Sequence, residues 1–113
     1  MAKDLSLVLL LDCYGELLTE RQQDVAALYF NEDLSLTEIA EARGITRQAV
    51  RDSIRHSEQT LLELEDKLGM AERLCGMRDC LEGILQRCEE GAVLPPETTA
   101  DIMRLAREGL SLL

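Results

Sequence analysis

Arg47, Arg51 and Arg55 recur every four residues, with Gln48 and Ser53 among them. On an α-helix that spacing drifts only about 40° per step and covers about 12 Å of axis, so the three guanidinium groups make one basic stripe, expected opposite Val50 and Ile54. Arginine and glutamine in such a row can bond bases and phosphates, which makes Arg47, Gln48, Arg51 and Arg55 the candidate contacts to an anionic target. That target is DNA, RNA or an acidic protein surface. The competing reading is a solvated face in which Asp52 and Glu58 serve as intrahelical partners, each pair worth only tenths of a kcal/mol.

Other reactive residue types are present without a constellation. His56 is the sole histidine and no CxxC accompanies it, so a zinc site lacks its ligand set. Cys75 and Cys80 are five residues apart, about 140° on a helical wheel, and do not converge on a metal. Cys88 reads as a core or seam residue. No phosphate-binding glycine loop, cleft-type acid pair or Ser/His/Asp arrangement occurs, and no catalytic residue, cofactor or metal is expected. Tyr29 and Phe30 could stack bases, but their place at the end of an amphipathic helix with Leu28 assigns them to the core.

The elements that must position the stripe are all helical. Six helices are expected: Lys3 to Tyr14, a Thr19-capped helix through Phe30, a Ser35-capped helix to Gly44, Arg47 to Lys67, Ala71 to Glu89, and one opened by Pro96 or Glu97. Thr19 with Gln22 and Ser35 with Glu38 have capping-box spacing, and Thr46 caps the fourth helix. Gly44 can take a positive φ that reverses the chain, so Leu36 to Ile54 has the spacing of a helix-turn-helix whose second helix lies in a DNA major groove. Val50, Ile54, Leu61, Leu64 and Leu68 are the expected inward positions of the fourth helix. Gly15, Gly69 and Gly91 are the expected stops of the first, fourth and fifth.

In the fifth helix Leu74, Met77, Leu81, Ile84 and Cys88 alternate steps of three and four, a heptad seam. Such a seam is either intramolecular core or the contact between two protomers. Ile102, Leu105, Ala106 and Leu110 give the last helix its apolar side.

Composition bounds the class. The 113 residues are 46% hydrophobic with no Trp, one Phe and two Tyr, so the core is built from aliphatic residues as in a helical bundle. The net charge is −10, the reverse of the basic footprint usual for a nucleic-acid binder. Between Thr19 and Ser57 five arginines face seven acids, so even the stripe sits in a negative field. Four cysteines at irregular gaps match no disulfide scaffold, and no leader or membrane-length apolar run is evident. A soluble cytoplasmic protein with free thiols, and no membrane partner, is the expectation.

From Leu10 to Met70 the chain resembles the YlxM family of small bacterial proteins. The resemblance rests on Leu17-Leu18-Thr19-Glu20-Arg21-Gln22, on LSLTEIAE from Leu34, on the RQAV, DSI and R elements from Arg47 to Arg55, and on a Leu- and Glu-rich helix ending in Lys67-Leu68-Gly69. The same core is similar to the promoter-reading region 4 of sigma factors, with Thr46 to Arg55 in the recognition-helix place. The resemblance implies an all-α accessory or regulatory protein of the signal recognition particle pathway, encoded beside the particle's GTPase and its receptor. The particle's RNA or GTPase are then the implied partners. Cys13 stands where the family usually has an aromatic, and the segment after Met70 is variable there, so the last helices inherit no role.

The expectation is therefore an all-α fold. A sigma-region-4-like helix-turn-helix domain occupies 1–68 and a C-terminal helical extension occupies 69–113. The expected function is non-enzymatic regulation through the helix-turn-helix, the alternative being a DNA-binding transcriptional regulator. A homodimer joined at the Leu74 to Cys88 seam is compatible with both.

Overall fold

The computed structural model describes residues 5–89 and 93–112. Six α-helices follow one another: α1 (Leu5–Tyr14), α2 (Glu20–Ala26), α3 (Leu36–Arg43), α4 (Arg47–Leu68), α5 (Met70–Glu89) and α6 (Pro96–Ser111). No strand occurs among the described residues. The beginning expected at Lys3 and the stop expected at Gly91 lie outside the described residues. By packing, the chain forms two compact units, Met1–Gly69 and Met70–Leu113.

In the first unit α4 is the element on which α1, α2 and α3 all pack. Its buried stripe is Val50, Ile54, Ser57 and Leu61, spaced by four, three and four and each fully buried. Leu64 is only half-buried and Leu68 is exposed, so the core-facing row ends earlier than the leucine spacing predicts. Ser57 occupies a core place because its hydroxyl is satisfied locally, donating to the Ser53 carbonyl at 2.9 Å. On α1, Leu7, Leu10, Leu11 and Tyr14 supply the opposing surface at helical spacing.

Local chemistry accounts for the boundaries. The Thr19 and Ser35 side chains accept from the backbone N–H of Gln22 and Glu38, whose side chains accept in return from the cap N–H groups. Gly44 has φ +66°, its N–H donates to the Ala40 carbonyl, and Ile45 N–H donates there as well at 3.1 Å. That closes α3 in two residues and turns the chain into Thr46, whose hydroxyl oxygen accepts from Ala49 N–H at 3.0 Å to start α4.

One element differs from the sequence expectation. The helix begun at Glu20 does not run as α-helix to Phe30 but widens at Ala27 into a π segment through Asn31, with Glu32 N–H donating to the Ala27 carbonyl. Widening the turn lets three consecutive side chains, Leu28, Tyr29 and Phe30, all be buried, which the 100° step of an α-helix does not favour. Tyr29 and Phe30 meet edge to face at 5.0 Å within this core.

The second unit is a hairpin of α5 and α6. Its contacts pair in opposite order, Gly76 with Leu112, Cys80 with Gly109, Gly83 with Leu105 and Arg87 with Asp101, so the helices are antiparallel. The contacting row on α5 is small: a Cβ on Gly76 would lie 2.8 Å from Leu112 Cδ1 and one on Gly83 3.0 Å from Leu105 Cδ1. Both neighbours are the tips of leucine side chains, which would have to shift to admit a larger residue at either place.

Candidate nucleic-acid interface

The first turns of α4 carry the arginine stripe on a helix held from three sides, so its backbone is fixed by packing rather than by propensity. Arg47 and Arg55 are exposed and Arg51 is half-buried. The stripe therefore lies beside the buried row, not opposite it. Arg51 follows Val50 by one residue, about 100° of rotation, so its aliphatic stem leans on the rim of the core while the guanidinium stays at the surface.

None of the three guanidinium groups makes a hydrogen bond or ion pair among the described residues. Asp52, expected as a partner, instead accepts from Gln48 Nε2 at 2.8 Å one turn back. Gln48 is thus exposed on α4 with its amide already oriented, while Arg47, Arg51 and Arg55 remain available. Like charges four residues apart on a helix cost a few tenths of a kcal/mol per pair, so this row is tolerated rather than stabilising.

Arg43 behaves differently. Its Nε and Nη2 donate to the two oxygens of Asp24 at 2.6 and 2.9 Å, a bidentate bridge between α3 and α2. The hydrogen bond and the charge of Arg43 hold the Asp24 carboxyl below its ordinary value, and Asp24 raises Arg43 in return. Arg43 is therefore structural, and the free cations of the helix-turn-helix are those of α4. A further one escaped the sequence reading: Arg21, exposed and unpaired among the described residues, lines a shallow depression with Glu20, Asp24, Val25, Arg43 and Ile45. Its distance in sequence from Arg47 concealed it, and only the packing of α2 brings it near the turn.

The remaining candidates disperse. His56 is exposed on α4, while Cys13 and Cys75 are half-buried, Cys80 is buried and Cys88 is exposed, none of the four in a disulfide. No group of three metal-ligating side chains comes together among the described residues. Among the same residues no helix is long and apolar enough to cross a membrane. Tyr29 and Phe30 are buried and offer no platform to a base.

On the heptad seam of α5, Leu74 and Leu81 are 51% and 58% exposed, Met77 and Ile84 half-buried, and Cys88 exposed. The seam is thus covered only in part: Met77, Leu81 and Ile84 border a groove shared with Leu105, Ala106 and Leu110 of α6, while Gly76, Cys80 and Gly83 lie where the two helices approach. Their small side chains draw the helices together at a different angular position.

Comparison with known proteins adds a family. Residues 1–94 match the family described as "Putative helix-turn-helix protein, YlxM / p13 like", UPF0122. A UPF0122 protein of Desulforamulus reducens is 57% identical over 65 residues, 58% of this chain and 56% of that protein. This chain thus spans little more than half the length of that relative. A UPF0122 protein of Clostridium kluyveri is 46% identical over 85 residues, 75% of this chain and 77% of its own length. One from Symbiobacterium thermophilum is 46% identical over 89 residues, covering 76% and 83%.

Proposed function

The chain belongs to the UPF0122 family of YlxM/p13-like helix-turn-helix proteins, and from that premise we propose that it is a non-enzymatic regulatory protein that binds nucleic acid through the start of α4. Arg47, Arg51 and Arg55 bond the phosphate backbone, and Gln48 reads a base edge or adds a further backbone contact. Arg21 extends the phosphate track beyond the helix.

The observation that carries this reading is that the three arginines have no partner among the described residues, in a chain of net charge −10. With acids in excess, cations that only solvated a surface would find partners. Here Asp52 accepts from Gln48, and the row keeps its mutual repulsion. A surface kept basic against the charge of the whole chain fits a polyanion.

The family resemblance directs the choice of target to the signal recognition particle, its RNA first and its GTPase second. The helix-turn-helix itself favours a second reading, a DNA-binding transcriptional regulator with α4 in the major groove. One experiment separates them: native gels of the purified chain with the particle's RNA, a random DNA duplex of equal length and the particle's GTPase, at low and high salt. Binding to the RNA that falls steeply with salt and disappears in Arg51→Glu is the expected result. Salt-sensitive binding to the duplex alone selects the regulator. Binding to the GTPase untouched by Arg51→Glu removes the stripe from the function, and binding to none of the three overturns the proposal.

A further inference from the structure

Beside the arginine row, α4 carries a second polar row. Counted from the buried Val50, Arg47, Arg51 and Arg55 stand at about 60°, 100° and 140° round the helix, and Gln48 and Asp52 follow at about 160° and 200°. One flank of the arginine row is therefore the rim of the core, and the other is the exposed pair Gln48 and Asp52. Gln48 Nε2 donates to Asp52 Oδ1 at 2.8 Å. A carboxylate only accepts, so this bond tells the two ends of the amide apart: the nitrogen turns to Asp52, and the carbonyl Oε1 is left over. Asp52 keeps Oδ2 without a partner among the described residues. The pair thus presents two unclaimed acceptor oxygens, one of them on a charged group, against a single remaining amide N–H.

We infer that Gln48 and Asp52 select a base that bears an exocyclic amino group, adenine or cytosine, over uracil or thymine. This selectivity rests on the nucleic-acid reading of α4 and deepens it. Asp52 repels phosphate, so the pair is not one more backbone contact. A strand whose phosphates lie on Arg47, Arg51 and Arg55 meets the packed core on one flank, and the flank open to its bases is the one with Gln48 and Asp52. There the amino group of adenine or cytosine donates to Gln48 Oε1 or Asp52 Oδ2, the pairings that glutamine and aspartate make with those two bases. Uracil and thymine carry a carbonyl oxygen where cytosine has its amino group, and their one ring N–H is flanked by two carbonyls. Such a base sets acceptor against acceptor and leaves a desolvated carboxylate without a donor. An acid beside the arginines lowers affinity for phosphate in general, and the gain is discrimination between bases.

Fluorescence anisotropy of the full chain with end-labelled oligo(C) and oligo(U) RNAs of equal length, over a salt series at neutral pH, tests it. Oligo(C) should bind roughly tenfold more tightly. The two RNAs should share one slope of log affinity against log salt, because their phosphate contacts are the same. Asp52→Asn should tighten oligo(U) and erase the preference, and Gln48→Ala should weaken the preference with the slope unchanged. Both side chains are exposed, so the helical circular dichroism of either variant should match that of the wild type. Equal affinities for the two RNAs overturn the inference, as does a preference for oligo(C) that survives in the Gln48→Ala, Asp52→Asn double variant. Binding to neither RNA overturns it as well. Arg51→Glu on the same RNAs tests the stripe separately. Equal affinities that Arg51→Glu abolishes remove the base selection and keep the stripe, whereas binding indifferent to Arg51→Glu removes both.

Discussion

The Tyr14 hydroxyl donates to Glu65 Oε1 at 2.6 Å, joining the last residue of α1 to the C-terminal half of α4 across 51 positions of sequence. The ring is 2% exposed, so the tyrosine contributes both a buried apolar body and a polar tip aimed at a half-buried carboxylate. This tie anchors the far end of the helix whose near end carries the arginine stripe.

Tyr14→Phe keeps the buried ring and deletes one hydrogen bond to a carboxylate, and should cost about 1–2 kcal/mol. Urea unfolding followed by circular dichroism measures it. Tyr14→Ala adds a cavity and should cost about 3–5 kcal/mol. Unchanged stability in Tyr14→Phe, beside a large loss in Tyr14→Ala, would show that the hydroxyl contributes nothing.

Ile54 is fully buried on α4 between the stripe arginines Arg51 and Arg55. Ile54→Ala should lower stability by about 2–5 kcal/mol through lost burial and a cavity. In chain still folded at low temperature, nucleic-acid affinity should change far less than in Arg51→Glu, a contrast that gel shifts and thermal melts on the same samples display.

Gly44 holds φ +66° with nothing within 4 Å of where a Cβ would stand. Gly44→Ala should therefore cost only the backbone penalty of the left-handed region, about 1–2 kcal/mol. A thermal melt reads the loss. A fully stable alanine variant would mean that the turn after α3 relaxes to another conformation.

The Asp24 to Arg43 bridge makes a pH prediction whose sign follows from the depressed Asp24 carboxyl. A carboxylate held below its ordinary 3.8 in the folded chain adds stability that is fully present above that value and is lost as pH falls through the lowered one. Arg43→Ala should raise the Asp24 titration toward 3.8, seen by carboxyl-carbon NMR, and should shrink the acid-induced part of the stability loss. Both side chains are 43% exposed, so solvent screening keeps the effect small. An unchanged Asp24 titration in the variant would count against the bridge in solution.

Much of this architecture follows from local chemistry. Thr19 with Gln22, Ser35 with Glu38, Thr46 and Gly44 set their helix boundaries through contacts within a few residues, so their spacing is enough to read them. The row Val50, Ile54 and Leu61 is legible for the same reason, as periodicity reports which face of one helix is apolar. Three features needed the tertiary structure. Leu28, Tyr29 and Phe30 suit an α-helix or a wider turn equally well in sequence, and burying all three selects the π segment. Arg51 carries the same charge pattern whether it stands opposite the core or beside it, and only the packing of three helices on α4 places it at the rim without a partner. On α5 the leucines make the stronger periodic signal, yet Gly76, Cys80 and Gly83 lie where α6 approaches. Periodicity records where apolar side chains lie on a helix, while the choice of face depends on how closely two backbones can approach.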